Sequence, residues 1–236
     1  MHPRPQGEGK RIGCLMKFFS FWRSLASFRV RIALNLKTVP ADVVFVDLDA
    51  DEHRTDEYRR INPQMALPAL AMDDGTTLFQ SLAILEYLEE THPSPPILPS
   101  DAKGRARVRA LALVVACEGH PLLVPRVRRY LDRELNLRDE QQTAWRRHWV
   151  IETLTALEGH LAGSKNTGKF CHGDTPTMAD ICMVGHCTVA GMLQIKLDRW
   201  PTVKRVFDTA MALPAFAKAH PLAQPDTPEA MRPKAG

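Results

Sequence analysis

Five cysteines are too few and too scattered for a disulfide framework or a zinc module. Cys14, Cys117, Cys171, Cys182 and Cys187 are odd in number, form no CxxC pair and sit in apolar surroundings. That usage reads as reduced thiols in a cytoplasm. Cys182 and His186 are four apart, with Cys187 beside them, but a structural zinc site wants four well-spaced ligands. Small residues packing a buried helix account for the same letters. No window of about 18 apolar residues is expected, which excludes a membrane-spanning helix. The first 15 residues, MHPRPQGEGKRIGCL, are basic and rich in Gly and Pro but lack the apolar core of a secretory signal. They read as a disordered extension, or as an upstream start with Met16 the true one. No other tract has a disordered composition, and 44% hydrophobic with 25% charged residues over 236 positions fits one large folded domain or two small ones.

The charge balance is weakly positive, +4, which suits a small anionic substrate or a weak nucleic-acid contact and decides between neither. The arginines cluster in RARVR (105–109) and RVRR (126–129), and the simplest reading of both runs is a solvated helix face.

From Met16 the pattern reads strand, helix, strand, helix, strand, strand, helix. KFFSFW (17–22) is an aromatic-rich strand. Over 27–37, Val30, Ala33, Leu34 and Lys37 share one stripe, with Arg29 and Arg31 away from it. VVFVDL (43–48) is a β-branched strand, and a polar helix from Asp56 stops before Pro63. ALPALAMDDGTTLFQS reads as two strands joined by a turn at Asp73, Asp74 and Gly75. The helix at 81–92 has Ala83, Ile84, Tyr87 and Leu88 on its expected inner face. Pro68 opens the third strand either as an edge-strand trans proline or as a cis proline that turns the Leu67 backbone outward, where a peptide-like ligand can pair with it. HPSPPILPSDAKG (92–104) is a linker. Everything beyond it reads as helical, with Thr177 and Asp180 forming a capping box. Alternating β and α followed by α alone argues for two domains. The last residues, QPDTPEAMRPKAG, have too little apolar content to pack beyond their first few positions.

Several segments in order resemble the glutathione transferase superfamily, and within it the zeta class of maleylacetoacetate and maleylpyruvate isomerases. They are FWRS to RVRIALNLK (21–37), INPQMALPAL (61–70), QSLAILEYLEE (80–90), GDTPTMADI (173–181) and HPLAQPDTP (220–228). The resemblance spans Met16 to about Thr227. It implies an α/β plus all-α fold, with a thioredoxin-like domain over 16–93 that binds glutathione and a linker over 94–103. An all-helical domain over 104–224 would cover the second substrate, and 225–236 would be a tail. It further implies a cytoplasmic homodimer acting on a small anionic or electrophilic substrate, with no nucleic acid and no membrane as partner.

By the same resemblance, Ser24 is the hydroxyl that activates the glutathione thiol, and Gln80 and Ser81 hold the γ-glutamyl carboxylate and amine. Ser81 also opens a helix, where free N–H groups favour an anion. Leu67 is the backbone partner of the cysteinyl unit, His53 a contact to the glycyl carboxylate, and His120 a residue lining the cleft. A thiol with a pKa of about 8.5 is only a few per cent thiolate at neutral pH, and lowering it by two units takes roughly 2.7 kcal/mol. A hydroxyl donor and a helix N-terminus are suited to supply that. A dicarboxylate keto acid needs cations, for which Arg23 and Arg126 are the candidates, through bidentate guanidinium–carboxylate pairing.

Two positions depart from the family pattern. Where the zeta motif reads Ser-Ser-Cys, this chain has Ser24, Leu25 and Ala26, and where zeta isomerases often carry arginine it has Met192. Glutathione brings its own sulfur, so the first change is compatible with catalysis. The second removes a charge-assisted bond worth about 1.5–3 kcal/mol. The leading expectation is therefore a glutathione-dependent cis–trans isomerase of a maleyl keto acid in aromatic catabolism. A transferase or dehalogenase for an apolar electrophile is the alternative within enzymes. A non-catalytic binding or dimerisation module is the third reading, which the retention of Ser24, Gln80 and Ser81 argues against.

Overall fold

The computed structural model describes residues 16–232. The readings made above for residues 1–15 fall outside them. The first half comprises β1 (Lys17–Ser20), α1 (Leu25–Lys37), β2 (Asp42–Phe45), α2 (Asp56–Ile61), β3 (Ala69–Ala71), β4 (Thr77–Phe79) and α3 (Ser81–Thr91). The four strands form one sheet in the order β2-β1-β3-β4. Phe18 pairs with Val43 in parallel and with Leu70 in the antiparallel direction, and Leu70 pairs with Leu78 across the β3–β4 hairpin. Strand alternation divides the core between two faces. Phe18 and Leu70 pack with Phe28, Ile84 and Leu88 under α1 and α3, whereas Phe19 and Ala69 pack with Tyr58 of α2.

The first strand is shorter than its aromatic run, because the Phe21 and Trp22 carbonyls leave the ladder to accept hydrogen bonds from Arg31 at 3.2 and 2.9 Å. The same guanidinium reaches the Ser20 hydroxyl at 3.1 Å and the Ala219 carbonyl at 3.0 Å. Arg29 and Arg31, expected away from the packed stripe of α1, are therefore both buried. A single amphipathic stripe presumes one covered face, but α1 is packed against α3 of its own half and against α7 and α9 of the second half. The inner face of α3 also differs from expectation. Ala83 is exposed, Tyr87 is half-buried, and Leu85 and Glu89 join Ile84 and Leu88 inside.

The second half contains α4 (Ala102–Leu113), α5 (Pro125–Arg133), α6 (Asp139–Leu161), α7 (Met178–Met192), α8 (Pro201–Met211) and α9 (Pro214–Ala219). Helix α7 is its axis, buried from Met178 to Thr188. The Thr177–Asp180 box closes its N-terminus, with Asp180 accepting from the Thr177 N–H and hydroxyl at 2.7 Å each and from the Cys171 N–H at 2.7 Å. The four cysteines among the described residues are free thiols.

Three other expectations change. The helical run Ala102–Arg133 does contain an 18-residue window with a mean hydropathy of 1.4, so such a window exists on composition. The run is not one straight helix, however. It switches to π winding over Val114–Gly119, to a 3-10 turn over His120–Leu122, and restarts at Pro125. Its apolar residues serve two sides: Val108, Leu111, Ala112 and Val115 enter the core, while Ala116, Leu123 and Val124 line a cavity. The linker is anchored, with Ile97 and Leu98 buried and the Ile97 carbonyl accepting from the Met178 N–H at 2.8 Å. The C-terminal segment packs further than expected. Asp226 accepts from the Trp22 N–H at 2.7 Å, Thr227 is buried, and Met231 reaches the cavity.

Candidate active site

A cavity of about 790 Å³ lies between the two halves, and every site residue expected from the sequence lines it: Arg23, Ser24, His53, Leu67, Gln80, Ser81, His120 and Arg126. Ser24 is the N-cap of α1. Its Oγ accepts from the Ser27 N–H at 3.2 Å, and its own proton is left to donate into the cavity at the positive end of the helix. Arg23 beside it is held by an ion pair with Asp49 and lies 5.8 Å from the ring centroids of Phe21 and Trp22. The peptide bond between Leu67 and Pro68 is cis.

Gln80 has positive φ and donates through Nε2 to Gln64 Oε1 at 3.0 Å. Ser81 is buried at the first turn of α3 and accepts from Arg29 Nη1 at 3.1 Å. A guanidinium has no acceptor atom, so the Ser81 hydroxyl must accept from it and direct its own hydrogen elsewhere. His53 is buried, with Nε2 4.0 Å from Asp51 Oδ1 and Nδ1 lacking a partner. Burial lowers its pKa against the opposing pull of Asp51. Asp51 is itself paired with Arg129 at 2.7 Å. His120 is half-buried, and burial, reinforced by Arg29, His186 and Arg126, holds its pKa well below the usual histidine range. Arg126 is exposed at the cavity rim.

The three residues departing from the family motif all line the cavity. Leu25 is buried, and a Cβ on Gly185 of α7 would lie 3.7 Å from it, so it packs between the halves. Ala26 is buried beside it. Met192 is 48% exposed and shares an apolar cavity wall with Val189 and Leu193. Cys182, His186 and Cys187 are buried in α7 away from the lining. Burial pushes the Cys182 thiol up to about 11 and the His186 ring down to about 3. Among the described residues, no group of three His, Cys, Asp or Glu side chains converges to hold a metal ion.

Sequence reasoning missed five cations in the lining: Arg29, Arg54, Arg128, Arg129 and Arg146. The RVRR run is not a solvated face, since Arg126, Arg128 and Arg129 all line the cavity. Nor is RARVR simply solvated. Arg107 donates to the Cys171 carbonyl at 2.6 Å, and Arg109 pairs with Glu86 at 2.6 Å. The density of arginine in RVRR was the available signal for Arg128 and Arg129, whereas Arg29, Arg54 and Arg146 lie outside both runs.

This arrangement can hold an extended, anionic, peptide-like molecule along Leu67, Gln80 and Ser81, with its reactive atom at Ser24 and a second molecule under the helices. The family model of the glutathione S-transferase N-terminal domain matches residues 23–91, and that of the C-terminal domain matches residues 114–214. A maleylacetoacetate isomerase of Pseudomonas aeruginosa is 44% identical over 217 residues, covering 91% of this chain and 100% of that protein. A holo structure of maleyl pyruvate isomerase, described as a bacterial glutathione S-transferase of the zeta class, aligns with a TM-score of 0.87. It is 41% identical and covers 90% of this chain and 100% of its own. A maleylacetoacetate isomerase from Methylobacterium extorquens AM1 with bound malonate and glutathione aligns with a TM-score of 0.88. It is 47% identical and covers 90% of this chain and 99% of its own. The chain belongs to the glutathione S-transferase superfamily, in its zeta class.

Proposed function

We propose that the protein is a glutathione-dependent cis–trans isomerase of a maleyl keto acid, of the maleylacetoacetate or maleylpyruvate type. The observation that carries this reading is the convergence of Ser24, cis-Pro68, Gln80 and Ser81 on one cavity that is also lined by arginines. The residues fit glutathione on their own terms. The Ser81 hydroxyl, held as an acceptor by Arg29, is free to donate to a carboxylate, and the buried His53 Nδ1 lacks a partner within the chain. When bound, glutathione supplies the thiolate that adds to the double bond, leaves it single and free to rotate, and departs unchanged.

Each residue then has a defined task. Ser24 donates a hydrogen bond at the N-terminus of α1, where hydroxyl and helix dipole together stabilise an anion over its neutral form. Gln80 and Ser81 bind the γ-glutamyl end and Leu67 aligns the cysteinyl backbone. His53 and His120, both with lowered pKa values, meet the ligand as neutral rings near pH 7. Arg23 and Arg126 attract and orient the carboxylates of the keto acid. An apolar wall of Leu123, Val124, Val189 and Met192 supports a second reading, transfer of glutathione to an apolar electrophile. We further infer a cytoplasmic homodimer. The exposed Phe79 on edge strand β4 (52%) and Phe45 on edge strand β2 (41%) support the dimer.

The test follows maleylpyruvate and maleylacetone by absorbance with and without glutathione. Glutathione-dependent isomerisation is expected. Measurable glutathione binding without isomerisation of either compound would replace this reading with the transferase. Ser24→Ala should lower kcat about a hundredfold, the scale for removing one preorganised donor, while glutathione affinity falls only a few-fold. Ser24→Thr, which keeps both the hydroxyl and the cap, should retain most of the turnover. Equal losses in kcat and affinity for Ser24→Ala would mean that Ser24 only positions the cofactor.

A further inference from the structure

The cavity is electrostatically lopsided. On the side formed by α5, α6 and the turn before α1 it is lined by Arg23, Arg128 and Arg146, whereas the α7 side presents Val189, Met192 and Leu193. Arg23 is matched by Asp49. Among the described residues, neither Arg128 nor Arg146 has a carboxylate partner, and the Nε of each is buried without any hydrogen-bond acceptor. Arg146 donates only to the Thr143 hydroxyl at 3.2 Å.

Several arginines elsewhere in the chain have carboxylate partners. Arg109 is paired with Glu86, Arg129 with Asp51 and Arg59 with Asp56. Two half-buried guanidiniums with unpaired Nε atoms beside a third cation are unfavourable in the free protein, through both desolvation and mutual repulsion. Burial and the nearby charges of Arg23 and Arg146 lower the Arg128 pKa accordingly, against the pull of Asp49. A carboxylate is the group that resolves this, because its two oxygens accept forked N–H pairs from planar guanidiniums.

We propose that Arg128 and Arg146, together with Arg23, form a subsite for the carboxylate of the second substrate remote from its reacting double bond, so that the enzyme selects dianionic over monoanionic maleyl keto acids. The inference rests on the isomerase reading and deepens it. Neighbouring arginines of α5 diverge: Arg129 turns to Asp51 near His53, while Arg128 lies with Arg23 and Arg146. Met192 supplies no charge on the facing wall, which leaves binding of the second carboxylate to α5 and α6.

The experiment uses Arg128→Met, Arg146→Met and the double variant, methionine preserving much of the buried stem. Maleylpyruvate carries a carboxylate at both ends, and maleylacetone carries one beside the same double bond. The wild-type kcat/KM ratio for the dianion over the monoanion is expected to fall about tenfold in each single variant and further in the double. Glutathione affinity, measured by calorimetry, should stay within about threefold. An unchanged ratio overturns the subsite. So does a loss of glutathione affinity as large as the loss of kcat/KM, which would assign these arginines to a glutathione carboxylate. If the wild type isomerises neither compound, the isomerase reading falls and the subsite is decided by malonate binding to the glutathione-loaded protein. Binding by the wild type and its loss in the double variant sustains the subsite. Equal binding by both, or none by the wild type, overturns it.

Discussion

Arg29 carries more of the site than its place in the sequence advertises. Its guanidinium is buried, its Nε has no partner, and its Nη1 donates to the Ser81 hydroxyl at 3.1 Å. Burial lowers its pKa. By forcing Ser81 to accept, it leaves the serine proton for the ligand and adds positive charge beneath the N-terminus of α3. We predict that Arg29→Met weakens glutathione binding about tenfold, while thermal stability holds or rises because an uncompensated buried cation has been removed. The control ligand is 4-aminobutyryl-cysteinylglycine, which lacks the γ-glutamyl carboxylate. The preference of the wild type for glutathione over this analogue should shrink in the variant, as measured by calorimetry. Parallel losses for both ligands would reduce Arg29 to a packing role. Ser24, Gln80 and Ser81 were legible because short motifs mark them. Arg29 was not, because helical periodicity identifies one buried face and α1 is enclosed on several.

Among the elements, α1 and α3 are joined at their C-terminal ends by a buried ion pair, beyond the apolar core that they share. Lys37, on the stripe that periodicity marked as packed, donates through Nζ to Glu89 at 2.7 Å, to the His92 carbonyl at 2.7 Å and to the Pro95 carbonyl at 2.9 Å. Glu89 in turn accepts from the Ile97 and Leu98 N–H groups at 3.0 and 3.2 Å. One lysine and one glutamate thus fasten the last turns of two helices to the proline-rich segment, which composition alone presents as a loose linker. Lys37→Met is expected to cost about 3–5 kcal/mol, the range for leaving one partner of a buried pair unmatched, as read from urea unfolding. A loss under about 1 kcal/mol would mean that Glu89 takes up a proton or finds solvent. Strand and helix order was readable from alternation and period, whereas the π winding over Val114–Gly119 was not. It depends on close packing: a Cβ on Gly119 would meet the Thr153 hydroxyl at 2.3 Å and His186 Nε2 at 2.9 Å.

For the molecule as a whole, the two-part architecture followed from β and α alternating before a proline-rich tract and α alone after it. The charge of the cavity between the parts did not, because it arises from arginines on α1, α5 and α6 that only the folded chain assembles. The same closure buries titratable groups at the junction. His186 on α7 has no hydrogen-bond partner on either ring nitrogen, and burial, reinforced by Arg29, holds its pKa at about 3. His120 is lowered well below the usual range by burial, Arg29, His186 and Arg126. In the unfolded chain both rings take up protons near the ordinary pKa of about 6.5. Below that value the unfolded state binds protons that the folded state refuses, so stability is full above about pH 6.5 and declines as the pH falls, until the folded-state pKa is reached. Each such ring contributes a slope of about 1.4 kcal/mol per pH unit once the unfolded form is fully protonated. Urea midpoints at pH 7, 6 and 5 should therefore fall progressively. His186→Gln, close in size but unable to titrate, should lose one ring's share of that slope below pH 6. A His186→Gln slope equal to that of the wild type would mean that His186 is already charged in the folded protein, with its positive charge accommodated beside Arg29.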